Sequence, residues 1–126
     1  MPTAGVGFVG VRTDRFDEMV HFCTHAMQFG APMVLDDQQQ FAVFAMADGA
    51  RFELFGPGCA AGAHLGSAPL VGFVVPDVGE ARAELEARGG RVVSIGTDGA
   101  VGWMHFLAPD GNLYELMHDK SEHSIP

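Results

Sequence analysis

Ala47-Asp48-Gly49-Ala50-Arg51-Phe52-Glu53-Leu54-Phe55 and Pro109-Asp110-Gly111-Asn112-Leu113-Tyr114-Glu115-Leu116-Met117 read as one pattern, x-Asp-Gly-x-x-aromatic-Glu-Leu-apolar, repeated 62 residues apart. At the same offset Phe44 matches Phe106, Arg15 matches Asp77 and Phe16 matches Val78, the last two where helices are expected to begin. Hairpins and helix starts that share one offset mark an internal duplication.

Working outward, each copy reads as a strand, a helix and three strands. In the first, Gly7 to Arg12 is β-rich. Phe16, Met19, Val20, Cys23 and Met27 recur at helical spacing, with Asp14 as the expected N-cap and an end near Gly30. Strands follow over Met33 to Leu35, Phe41 to Met46 and Arg51 to Phe55. In the second, Leu70 to Val75 is a strand, and Asp77-Val78-Gly79-Glu80 has capping-box spacing and opens a helix that Gly89-Gly90 stops. Arg91 to Ile95, Val101 to Leu107 and Leu113 to Met117 complete the set. The Gly/Ala/Pro-rich stretch from Gly56 to Ser67 links the copies. About 50 residues bury a sheet face poorly alone, so the copies are expected to be half-domains, about 6–57 and 69–118, of one domain over residues 1–126.

The Asp-Gly turns predict side-chain direction. In a three-residue loop with glycine left-handed, Val43 opposes Glu53 and His105 opposes Glu115, whereas a two-residue loop would shift the pairing by one. One face then carries Phe41, Val43, Ala45, Arg51, Glu53 and Phe55, and the other the wholly apolar Phe44, Phe52 and Leu54. In the second copy Trp103, His105, Leu113, Glu115 and Met117 share a face, opposite Phe106, Tyr114 and Leu116. Large apolar groups around a few convergent polar ones are what a ligand site needs. The competing reading buries the same residues against another subunit.

The bulk properties narrow the partners. Seven Lys and Arg against 16 Asp and Glu give a net charge of −9, which repels nucleic acid and anionic membrane. Cys23 and Cys59 form no CxxC or paired framework, no signal-peptide pattern opens the chain and no apolar run is long enough to span a bilayer, so a cytoplasmic setting is expected. Gly5 to Gly10 lies within a strand pattern and is not a phosphate loop.

These residues carry a family resemblance from Val6 to His118. A strand, a helix with Phe22-Cys23 at its centre and Glu53 ending the first copy are followed by Leu70-Val71-Gly72-Phe73-Val74-Val75-Pro76-Asp77-Val78, a helix, and Ala108-Pro109-Asp110-Gly111-Asn112-Leu113-Tyr114-Glu115-Leu116. The chain resembles the vicinal oxygen chelate superfamily of glyoxalase, bleomycin-resistance and dioxygenase-like proteins. The resemblance implies an α+β fold of two βαβββ units, with a barrel-like cleft completed in a homodimer. Its metal enzymes draw ligands from the first and last strand of each unit. Here the last-strand positions are Glu53 and Glu115, and the first-strand positions fall on Phe8 and Leu70, which coordinate nothing.

Three functions follow. The favoured one is a metal-free, cofactor-free binder of a cationic or aromatic small molecule, resembling the bleomycin-resistance branch, with Phe8, Phe41, Arg51, Phe55, Leu70, Trp103, His105 and Met117 against the ligand and Glu53 and Glu115 as its carboxylates. The alternative is a glyoxalase-like lyase, isomerase or ring-cleaving dioxygenase. It would hold a divalent metal on Glu53, Glu115 and His105, or, without metal, use a buried Glu as general base with His105 as partner. The third is a scaffold in which Arg51 neutralises Glu53. His21 and His25, four apart on the first helix, have metal-capable spacing but read as a solvated pair. His64 lies in the linker, and His118 and His123 fall in or beside a polar tail. The scattered Met19, Met27, Met33 and Met46 read as core filler.

Overall fold

Residues 2–121 of the 126-residue chain are described by the computed structural model, so His123 lies outside the described residues. The elements run β1 (Val6–Arg12), α1 (Phe16–His21), a π-helical turn (Phe22–Ala26), β2 (Val34–Asp36), β3 (Phe41–Ala45), β4 (Arg51–Phe55), a short 3₁₀ turn (Ala60–Gly62), β5 (Leu70–Val74), α2 (Val78–Ala87), β6 (Arg91–Asp98), β7 (Val101–Leu107) and β8 (Leu113–Asp119). The strand-helix-strand-strand-strand order thus occurs twice, the α+β fold of two βαβββ units. The chain forms two compact units: Phe8–Leu70, called the first, and the second, whose described residues are 2–7 and 71–121.

In the first unit the strand order is β2-β3-β4-β1, with β3 antiparallel to both neighbours and β1 parallel to β4. Phe44 and Leu54 alternate with the residues on the opposite face, and Phe16 and Cys23 meet them from the helix; with Ala42 they form the core. Removing each large apolar side chain from water contributes about 1.5–3 kcal/mol. The helix departs from expectation at both ends. Arg15, not Asp14, occupies the cap position and no side chain caps the helix; the Asp14 carboxylate instead lies 3.9 Å from the Arg12 guanidinium. After six α-helical residues the coil widens, and the Met27 N–H reaches the Phe22 carbonyl at 3.0 Å. The wider turn keeps Cys23 in the core but carries Met27 to the surface, where it is 52% exposed, so Met27 does not belong to the buried stripe.

In the second unit the order is β5-β8-β7-β6, with β5 parallel to β8 and β7 antiparallel to β6 and β8. Helix α2 begins as its spacing predicts: the Asp77 carboxylate accepts the Glu80 N–H at 2.9 Å. Lys120 donates to the same carboxylate, and these two bonds hold its pKa below the usual range. The helix ends at left-handed Gly89, with the Gly90 N–H on the Leu85 carbonyl at 2.8 Å. It covers the apolar sheet face, and Val75, Val78, Ala81, Met104 and Leu116 form the core.

His118 is not in a tail. Strand β8 continues to Asp119, and the His118 ring lies against Gly102 on β7. Its Nδ1 accepts the Val78 N–H at 2.9 Å, satisfying a donor at the start of α2 that the helix itself leaves unpaired. Sequence spacing carries no sign of this bond, because the partners are 40 residues apart.

Candidate functional site

Both Asp-Gly hairpins are built identically. Gly49 and Gly111 are left-handed at φ 89° and 84°. The Asp48 and Asp110 carboxylates accept the Ala50 and Asn112 N–H groups, each at 3.0 Å. The Met46 and Ala108 N–H groups close the loops on the Ala50 and Asn112 carbonyls at 2.8 and 3.0 Å. This three-residue turn fixes the register. Val43 stands opposite Glu53, and His105 opposite Glu115, as the spacing predicts.

In the second unit this register creates a buried polar pair. His105 Nε2 and Glu115 Oε1 are 2.9 Å apart, and each side chain is 7% exposed. Burial pushes the Glu115 carboxyl above its ordinary value, and the bond to His105 opposes that rise without cancelling it. Removal from water penalises the carboxylate, while an imidazole N–H stabilises it, so the carboxyl is more readily protonated than a surface glutamate. Trp103 and Met117 form the next pair on the same face, and Leu107 and Leu113 flank the dyad on its other side. The Trp103 indole lies against Gly96 on β6, where a methyl group would sit 2.5 Å from the ring. A glycine inside a strand often marks such a close approach, and this was the available signal for where the indole rests.

In the first unit the equivalent face is packed with rings. Phe41 and Phe55 lie 5.5 Å apart, and Phe8 and Phe55 both cover Gly10. Phe8 and Phe55 are buried, while Phe41, Arg51 and Glu53 are partly exposed. Gly10 stands opposite Glu53, and Gly72 opposite Glu115. Each glutamate therefore faces a glycine of its unit's first strand, a repeated feature that no ligand-capable side chain marks in the sequence. Phe8 and Leu70 sit two residues earlier on the same faces, at 4% and 2% exposure. His64 is exposed.

These donors do not fit a divalent metal. A borderline cation resident at a catalytic centre is held by three or four protein nitrogen, oxygen or sulfur ligands, and His105 and Glu115 are bonded to each other instead. Among the described residues no group of three or more His, Cys, Asp or Glu is placed to hold one, and the two first-strand positions are occupied by buried hydrocarbon.

A glyoxalase/bleomycin-resistance superfamily member from Vibrio splendidus 12B01 has a similar structure, with a TM-score of 0.64 and 16% identity over 94% of this chain and 100% of that one. Methylmalonyl-CoA epimerase from Mycobacterium tuberculosis aligns at 0.64 and 18% identity over 98% and 93%. The Mn(II)-bound glyoxalase from Novosphingobium aromaticivorans aligns at 0.65 and 21% over 93% of this chain and 39% of that one. At these identities the likeness is one of fold. No curated protein matches the sequence. No helix among the described residues is long and apolar enough to cross a membrane. The sequence model of one family matches residues 5–116, which span the duplicated strands, both hairpins and both glutamates, and the chain belongs to that family, the Glyoxalase/Bleomycin resistance protein/Dioxygenase superfamily.

Proposed function

We propose that the chain binds a small aromatic or cationic organic molecule, without a divalent metal, on the second-unit face formed by Trp103, His105, Glu115 and Met117. The observation that carries this reading is the buried His105–Glu115 hydrogen bond: the carboxylate that would serve a metal is held by an imidazole instead. The half-buried indole beside it offers a stacking surface, and Met117 an adaptable apolar one. Cationic ligands suit the acidic chain and the carboxylate. By the duplication, Glu53 and Arg51 offer polar groups on the first unit's own face, with Phe41 and Phe55 beside them. Homodimerisation belongs to the same proposal, supported by the exposed Val93 and Ile95 on edge strand β6.

One observation favours a second, catalytic reading. A carboxyl whose pKa is raised by burial and which touches an imidazole is suited to general acid–base work. Glu115 would then take or return a substrate proton while His105 steadies it.

A titration of aromatic cations in chelator tests the proposal, with Trp103, the single tryptophan, as reporter. Saturable quenching with thermal stabilisation, weakened in Glu115→Gln, is the expected result. Stoichiometric Zn, Ni, Mn or Fe on untagged protein, lost on Glu115→Ala, would overturn the metal-free reading; silence toward every small molecule would favour the scaffold. Light scattering on the same sample reads the dimer, and a monomer mass removes that part.

A further inference from the structure

The first unit carries a histidine pair that the proposed function does not use. His21 ends α1 and His25 lies in the π-helical turn that follows. Phe16 and Cys23 point from the same segment into the core, while both histidines are exposed. Their ring centroids are 4.4 Å apart, with the planes tilted by 49°. Rings at this separation can bring their edge nitrogens to about 3 Å, the span across a single ion bound at ~2.0–2.1 Å by two imidazoles.

We propose that His21 and His25 form a two-point clamp for a borderline divalent cation, Cu(II) ahead of Ni(II) and Zn(II), with its other coordination positions open to water. Imidazole suits these ions, and the general affinity order of divalent metals places Cu(II) first. The net charge of −9 and the exposed Asp17, four residues before His21, favour cation approach. Among the described residues no third His, Cys, Asp or Glu joins the pair, so the site is open and exchangeable, unlike a closed structural centre. The clamp stands apart from the His105–Glu115 pair and does not depend on the function proposed for it.

The test is a CuCl2 titration of the untagged full chain in buffer free of chelator and imidazole, followed by calorimetry and by the histidine ring signals in NMR. The first equivalent is expected to broaden His21 and His25 before His64, His105 and His118. His21→Ala and His25→Ala should each weaken binding by about tenfold or more, since each turns a chelate into a single contact. Both positions are exposed, so circular dichroism and Tm without metal should match wild type. Broadening that begins at another histidine or spreads evenly over all of them, or wild-type affinity in both variants, would overturn the clamp.

Discussion

Replacing His105 and Glu115 by leucine, singly and together, measures how strongly their contact holds the second unit. Each side chain is 7% exposed and the bond is 2.9 Å long, so the small coupling typical of surface ion pairs does not apply. Either single change strands a buried polar partner, at a cost of about 3 kcal/mol at neutral pH. The double variant removes both halves of this contact and sets two apolar side chains beside Leu107, Leu113 and Met117, so it should cost far less than the two single changes added together. Urea unfolding read by Trp103 suits the comparison, because that indole occupies the neighbouring position on the same strand face. With a slope of about 1.5 kcal/mol per molar urea, each single change should lower the midpoint by about 2 M. The pH adds a second signature. Burial already favours the protonated Glu115, so in His105→Leu the stranded carboxyl can neutralise itself in acid, and the cost of that variant should shrink there. Singles and double that add to within about 0.5 kcal/mol would refute the reasoning, because the pair would then be energetically independent.

Two further outcomes follow from the same geometry. Glu115 has a folded pKa above its ordinary 4.5; its contribution to stability is therefore full below that value and is lost as pH rises through the folded one. The stability of wild type relative to Glu115→Gln should accordingly fall as pH rises above about 4.5, and a constant difference in urea titrations from about pH 4 to pH 8 would contradict the sign. Gly96→Ala places a methyl group 2.5 Å from the Trp103 ring. The indole must move, costing about 1–3 kcal/mol, shifting its emission to the red and weakening any ligand stacked on it; an unchanged spectrum would show that the ring does not rest where the contact places it.

Much of this molecule is legible along the chain because its signals are short-ranged. The Asp-Gly turns are set by a few consecutive residues, and once each closes as a three-residue loop, His105 faces Glu115 and Val43 faces Glu53. Period-two alternation separates the face of Phe44, Phe52 and Leu54 from that of Glu53. Asp77 caps α2 because the recipient N–H is three residues away. The duplication then ties these local signals to one family. Other features depend on which strands become neighbours, and tertiary structure alone decided them. Gly10 and Gly72 acquire meaning only when parallel pairing sets them against the glutamates. His118 takes its place at the start of α2 through a partner 40 residues distant. The π-helical turn lets Cys23 reach the core while Met27 leaves it, an outcome governed by packing more than by helical spacing. Facing each other was written into the turn between β7 and β8; that His105 and Glu115 meet away from water, where burial raises the glutamate's pKa, is a product of everything packed around them.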